Sequence, residues 1–144
     1  MTNLLKISEA ASLALHTLVF LAGQGGERFS AKAIASELQG SEFHLSKVLQ
    51  RLSRAGLVTS IRGPKGGFTI SEEGEEAYLL DVFEAIEGPL ELKSCIAGIK
   101  VCQRETCILG GLTDSIHQQF KEYMSKTRVK ELMENRAARE RLLQ

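Results

Sequence analysis

With 144 residues, 43% hydrophobic and 25% charged, the chain is typical of one compact domain or a domain with an appendage. No apolar run approaches the roughly 18 residues that a membrane-spanning helix needs. The N-terminal sequence also lacks the charged start, apolar segment and cleavage site of a signal peptide. We therefore expect a cytoplasmic protein that does not bind or cross a membrane.

The formal net charge of zero hides a local basic segment. Residues 43–71 contain no acidic side chain, whereas acidic residues follow directly in 72–76. A phosphate backbone responds to this local charge of +5, not to the average, so the segment indicates a nucleic-acid-binding face rather than merely a solvated one. The five basic residues are Lys47, Arg51, Arg54, Arg62 and Lys65.

Helical spacing of apolar residues predicts a first helix over 8–22, capped by Ser8 and ended by the glycines of 23–26. A second helix is predicted after Ser30, and Gly40 separates it from a third that Ser41 opens. Two helices joined by a short turn predict a helix-turn-helix, whose second helix lies in the major groove.

The third helix has a regular inner face, which consists of Leu45, Val48, Leu49 and Leu52. Lys47 and Gln50 can pair with base acceptors, whereas Arg51 and Arg54 are expected to contact phosphate. His44 is expected to contact a base or the backbone, the alternative being a surface histidine without a role. The predicted outward residues are Phe43, His44, Ser46, Lys47, Gln50, Arg51 and Arg54.

A hairpin is predicted from two β-branched runs, 57–61 and 68–71, joined by a turn rich in glycine. The glycines allow backbone torsions that are closed to other residues, and Pro64 stiffens the turn. Arg62 and Lys65 in such a turn can enter a narrow minor groove. Helix-turn-helix followed by this hairpin predicts a winged helix-turn-helix.

Beyond the hairpin, a short helix is predicted over 77–86 and ends at Gly88-Pro89. A long helix is predicted from Cys107, with an apolar stripe that no part of the chain evidently covers, and a charged last helix follows. Such a helix usually pairs with its copy, so a homodimer is expected. The stripe consists of Ile108, Leu112, Ile116, Phe120, Tyr123 and Met124.

Cys95, Cys102 and Cys107 form a cluster of odd number, which in a cytoplasmic protein indicates metal, iron–sulfur or redox chemistry rather than disulfides. No Ser/His/Asp or paired-carboxylate arrangement suggests an enzyme. The fold class predicted is mainly α with a small β-hairpin wing. The predicted regions are 1–88 (winged helix-turn-helix), 89–107 (cysteine loop) and 108–144 (dimerisation helix and charged C-terminal helix).

The sequences R-L-S-R-A-G-L-V-T-S-I-R-G-P-K-G-G-F and L-L-D-V-F-E-A-I-E-G-P-L, followed by three cysteines and a long helix, carry a family resemblance. Over residues 4–133 the chain resembles the IscR/NsrR family of iron–sulfur winged-helix transcription regulators. The resemblance implies a homodimeric repressor of a double-stranded DNA operator, with an iron–sulfur cluster on Cys95, Cys102 and Cys107. Thiolates suit both cluster types, and the cluster expected is [2Fe–2S] in preference to [4Fe–4S].

The fourth cluster ligand differs from the patterns of the family. Where some relatives have a histidine, this chain has Gly110, and where others have an acidic residue it has Ser12. Glu9 and His117 are the candidates that we retain, with Asp114 as a further one. Two other hypotheses stay open: a thiol redox switch or zinc site at the cysteines, and a winged unit that contacts proteins instead of DNA.

Overall fold

The described residues of the protein, 6–91 and 107–134 of a computed structural model, form six helices and one hairpin. A further helical stretch begins at residue 129 and continues to the end of the second range. The helices are α1 (Glu9–Ala22), α2 (Ala31–Leu38), α3 (Glu42–Arg54), α4 (Glu72–Glu76), α5 (Leu79–Glu87) and α6 (Leu112–Lys126), and the strands are β1 (Val58–Ile61) and β2 (Gly67–Ile70).

Helix α1 lies at the centre of the core and contacts α3 and α5. The Ser8 side chain accepts a hydrogen bond from the Ala11 backbone N–H at 3.1 Å, which confirms the predicted cap. Ala11 and Ala14 are completely buried, and their small side chains allow neighbouring helices to approach α1 closely. Thr17 is also buried, although the apolar pattern did not include it.

Helices α2 and α3 form the predicted helix-turn-helix, and Ser30 and Ser41 cap them as expected. The left-handed residue of the turn is Gln39, with φ of 53°, rather than Gly40. Gly40 has a different function, because a Cβ there would lie 3.0 Å from Leu13 Cδ2. The absent side chain lets the turn pack on α1. All four predicted inner residues of α3 are buried.

The wing is an antiparallel hairpin in which Val58 pairs with Ile70 and Ile61 pairs with Gly67. Phe29 adds a third backbone segment through two hydrogen bonds with Phe68, of 3.0 and 2.8 Å. Gly67 has φ of +143°, and a Cβ there would lie 2.8 Å from the Phe29 carbonyl oxygen. Glycine at this position is therefore a condition for this backbone pairing.

The helix predicted over 77–86 is wrong at its start, because residues 72–87 form two helices separated by Ala77 and Tyr78. Ala77 is extended, and its carbonyl accepts a hydrogen bond from the Val129 N–H at 3.0 Å. The Leu79 N–H donates to the Thr127 carbonyl at 2.9 Å. The break thus results from pairing with a distant segment, which local periodicity does not reveal.

The long helix predicted from Cys107 begins only at Leu112, because residues 108–111 form turns. In its second half, two residues of the apolar stripe are covered by their own chain, contrary to expectation, whereas Tyr123 is 56% exposed. Phe120 packs edge-to-face on Phe83 of α5 with ring centroids 6.1 Å apart, and Met124 is buried. The first half remains open, since Leu112 is 55% exposed. In the described ranges, no helix is long and apolar enough to cross a membrane.

Candidate nucleic-acid interface

Helix α3 presents a continuous polar face to solvent, as its sequence predicts. Ser46 is half-buried, and the five other polar residues predicted to face outward are exposed. The first turn of the helix and its last turn both contribute, so the exposed face extends along the whole helix. The exposed residues are His44, Lys47, Gln50, Arg51 and Arg54.

The side chains at the start of α3 contact one another and α1. The Lys47 ammonium lies 4.2 Å from the centre of the exposed Phe43 ring. His44 Nδ1 lies 3.4 Å from Glu9 Oε1, so the recognition helix meets the first turn of α1. His44 therefore has a defined partner, and Glu9, a candidate cluster ligand, lies beside α3 in this chain.

Arg51 makes a contact that its basic character alone did not predict. Its Nη1 donates a hydrogen bond of 3.2 Å to the backbone carbonyl of Ile86, in the last turn of α5. A guanidinium has five N–H donors, so Arg51 keeps others for a phosphate while it holds this carbonyl. The recognition helix is thus tied directly to the end of α5.

The end of α5 is tied to two further points. The Ser8 hydroxyl contacts the Glu87 carboxylate, which joins the cap of α1 to the last residue of α5. Glu84 Oε1 accepts a hydrogen bond of 2.8 Å from the Leu90 N–H. The chain therefore leaves α5 for the cysteine segment from a point that contacts both α1 and α3. No sequence signal marks the partners of Arg51 and Glu84, because both are backbone groups, the Ile86 carbonyl and the Leu90 N–H.

A groove of about 370 Å³ lies between the start of α1 and α3. Lys47 and Arg51 stand on the α3 side of this groove, and Glu9 stands on the α1 side. Its polar groups are thus of both signs, with the basic ones on the recognition helix. The lining residues are Ser8, Glu9, Ala10, His44, Lys47, Val48 and Arg51.

The wing tip carries the remaining predicted contacts. Arg62 and Lys65 are both exposed in the turn between β1 and β2, where Gly63 has φ of +108°. The Gly66 N–H donates to the Gly63 carbonyl at 2.9 Å, which closes the turn. Buried Leu57 and Val58 anchor the first strand in the same core as α3, so the wing and the recognition helix have a common base.

The predicted cluster ligands are only partly within the described ranges. Cys107 is half-buried and forms no disulfide within the described ranges, and Cys95 and Cys102 lie outside them. Residues 6–91 and 107–134 contain no group of three His, Cys, Asp or Glu side chains that could hold a metal. The donor set itself fits an iron–sulfur cluster, because three thiolates are the ligands that such clusters use.

The candidates for a fourth ligand occupy different places in the fold. Gly110 has φ of +55°, a conformation that favours glycine, and it supplies no donor atom. His117 is half-buried on α6, and Glu9 is exposed and pairs with His44. The described structure does not bring Glu9 and His117 together in one metal-binding group with Cys107.

An ionic cluster fastens the end of the described chain to the winged unit. Glu76 contacts both Arg128 and Lys130, and Arg128 also lies over the Tyr78 ring, 4.9 Å from its centre. The hydrogen bond from Lys130 holds the pKa of the Glu76 carboxyl below its ordinary value of 4.5. The position of the segment after α6 relative to α4 therefore depends on charged contacts as well as on the core.

Comparison with known proteins agrees with this arrangement. A family model described as "Rrf2: Iron-dependent Transcriptional regulator" matches residues 7–135. The chain is 30% identical over 129 residues to the HTH-type transcriptional regulator CymR of Bacillus subtilis, covering 89% of each chain. It is 29% identical over 124 residues to NsrR of Shouchella clausii, covering 83% of this chain and 80% of that protein.

Solved structures show the same fold. The structure of CymR, the global cysteine regulator of B. subtilis, superposes with a TM-score of 0.72 at 30% identity, covering 91% of this chain and 98% of that one. The oxidized form of Staphylococcus aureus CymR superposes with a TM-score of 0.69 at 27% identity, covering 90% and 97%. The chain therefore belongs to the Rrf2 family of winged-helix, DNA-binding transcription regulators.

Proposed function

We propose that the protein is a homodimeric, operator-specific repressor whose DNA binding responds to an iron–sulfur cluster on Cys95, Cys102 and Cys107. The observation that carries this proposal is the hydrogen bond from Arg51 to the Ile86 carbonyl. It joins the expected DNA-contacting helix to the segment that leads into the cysteines. The part that contacts DNA and the part that senses the signal are therefore connected by a hydrogen bond within one chain.

The output part consists of α3 and the wing tip. With α3 in the major groove, Lys47 and Gln50 reach base acceptors, while Arg51 and Arg54 contact phosphate. Ser46 and His44 contribute shorter-range contacts near the start of the helix. Arg62 and Lys65 enter the adjacent minor groove from the wing. The common core beneath both elements supports this, because it fixes the position of the wing relative to α3.

The input part is the cysteine segment. The three thiolates would hold a [2Fe–2S] cluster in preference to a [4Fe–4S] cluster, with Glu9 or His117 of either subunit as the fourth ligand. The bound cluster supplies reactivity toward redox change, nitric oxide or iron–sulfur status. Use of Glu9 as a ligand would compete with its contact to His44, which is a second route from the cluster to the recognition helix.

The change between states would be a change at the end of α5. Ordering or releasing the cysteine segment would move the residues around Gly88. Three hydrogen bonds would carry this movement to the rest of the winged unit: Ile86 with Arg51, Glu87 with Ser8, and Leu90 with Glu84. Allostery requires two sites and two states with different contacts. The contact between Arg51 and Ile86 is the one that we expect to differ.

The homodimer is supported by the open apolar surface at the start of α6. Ile108 is 93% exposed and Leu112 is 55% exposed, although both belong to the apolar stripe of this region. A second copy would cover them and would place two recognition helices about one DNA turn apart. Sedimentation equilibrium of the full chain tests this, with Leu112→Asp expected to favour the monomer.

A second candidate function keeps the DNA interface and replaces the cluster by a cysteine thiol switch or a zinc site. The likeness to CymR favours the thiol switch, since a CymR structure is described as an oxidized form. Analysis of iron, zinc and acid-labile sulfide in protein purified without oxygen separates the possibilities. Iron with equal sulfide supports the cluster, zinc supports the metal site, and neither with reversible thiol oxidation supports the switch.

A further inference from the structure

Phe43 is a large apolar side chain placed where the fold makes no use of it. It is 65% exposed in the first turn of α3, whereas the other apolar residues of that helix are buried. Its removal would leave no cavity in the core. The position of Phe43 therefore calls for a contact outside the described chain.

The surroundings of Phe43 define the chemistry of that contact. The Lys47 ammonium lies 4.2 Å from the ring centre, and the His44 ring centroid lies 5.9 Å from that of Phe43. A cation over an aromatic face is held there by the ring quadrupole. Phe43 thus presents an apolar edge beside an oriented hydrogen-bond donor.

This combination matches the base edges of the major groove. Thymine carries an apolar C5-methyl group there, and guanine offers two acceptors to a lysine. We infer that Phe43 is a specificity residue that contacts the methyl group of an operator thymine, with Lys47 directed at the neighbouring base pair. The inference rests on the proposed placement of α3 in the major groove.

The charge around Phe43 selects DNA over a protein partner as the occupant. The face of α3 that follows Phe43 exposes Lys47 and Arg51 and carries no acidic side chain, whereas Glu42 precedes Phe43 and Glu9 pairs with His44. Basic residues that follow one apolar side chain along the helix complement the phosphate backbone beside a base edge. An apolar protein surface would leave these charges without partners.

The test uses an operator selected from random DNA with the full-length protein. Each thymine is then replaced singly by uracil, which removes the methyl group and keeps the base pairing. We expect one position in each half-site at which uracil weakens binding about fourfold, the value of one desolvated methyl group. In Phe43→Ala the same replacement should have no effect, while Phe43→Leu should keep part of it.

Gln50→Ala is the matched control, because it removes another side chain of the same helix face. It should alter binding yet keep the uracil penalty. A penalty that persists in Phe43→Ala, or wild-type operator binding with no uracil-sensitive position, would overturn the inference and leave the proposed function intact. Failure of the wild-type chain to select any operator would instead contradict both.

Discussion

Arg51, in the last turn of α3, donates a hydrogen bond of 3.2 Å to the backbone carbonyl of Ile86. Ile86 lies two residues before Gly88, where α5 ends and the chain turns toward the cysteine segment. The same arginine can therefore contact an operator phosphate and respond to a change in the position of the end of α5.

Arg51→Ala should reduce both operator affinity and its dependence on the cysteine segment. Loss of the guanidinium removes the contact with Ile86 and the phosphate contact that we propose. We expect weaker binding and nearly equal affinities for cluster-loaded and cluster-free protein, measured by fluorescence anisotropy. Arg54→Ala is the control, since Arg54 is exposed on the same face. It should weaken binding but keep the ratio of the two affinities. If the ratio of the two affinities is the same in both variants, Arg51 does not couple the cysteine segment to DNA binding.

Arg62→Ala and Lys65→Ala should each lower the salt dependence of DNA binding. Each variant gives up one phosphate contact, so the slope of log affinity against log salt should fall by about 1. Lys121→Ala, an exposed residue on α6, should leave the slope unchanged. Unchanged slopes in both wing variants would argue for the hypothesis that the winged unit contacts proteins.

Gly67→Ala should destabilise the protein, because the wing requires a positive φ and has no space for a Cβ. We expect a loss of about 1–3 kcal/mol from the backbone conformation, with a further loss from the clash at Phe29. Gly25→Ala is the control, since Gly25 also has positive φ but has nothing within 4 Å. Thermal denaturation should show the larger loss at Gly67, and equal losses would contradict this assignment.

Glu76→Gln should change how stability depends on acid pH. The contact with Lys130 lowers the pKa of the folded carboxyl, so its stabilisation is present above the ordinary pKa of 4.5. It is lost as pH falls below 4.5 through the lower folded value. The difference in Tm between wild type and Glu76→Gln should therefore be full at neutral pH and shrink below 4.5. A difference that is constant with pH would show that Glu76 acts without its charge.

The winged unit was accessible from sequence because its signals are local. Ser8, Ser30 and Ser41 cap the helices they were expected to cap, and the inner face of α3 follows helical spacing. The limits of α5 and α6 were not accessible in the same way. Residues 77–79 pair with 127–129, and Phe83 covers Phe120, so distant contacts decide where those helices begin and what they bury.

In the candidate site, too, some features can be predicted from the sequence and others require the fold. Basic residues on an outward helix face and in a glycine turn are visible in the sequence, and the structure exposes them together. The link from Arg51 to α5 is not visible, because a backbone carbonyl carries no residue signature. The pairing of His44 with Glu9 depends on the approach of α1 to α3, which likewise requires the fold.

The central claim is that a cluster on Cys95, Cys102 and Cys107 controls operator binding. The most direct test measures operator affinity of anaerobically purified protein, with iron and acid-labile sulfide determined on the same sample, before and after cluster removal. The triple Cys→Ala variant is measured in parallel. We expect iron and sulfide in the wild type, different affinities for its two forms, and a single affinity without iron in the variant. Identical affinities of loaded and stripped wild type would contradict it.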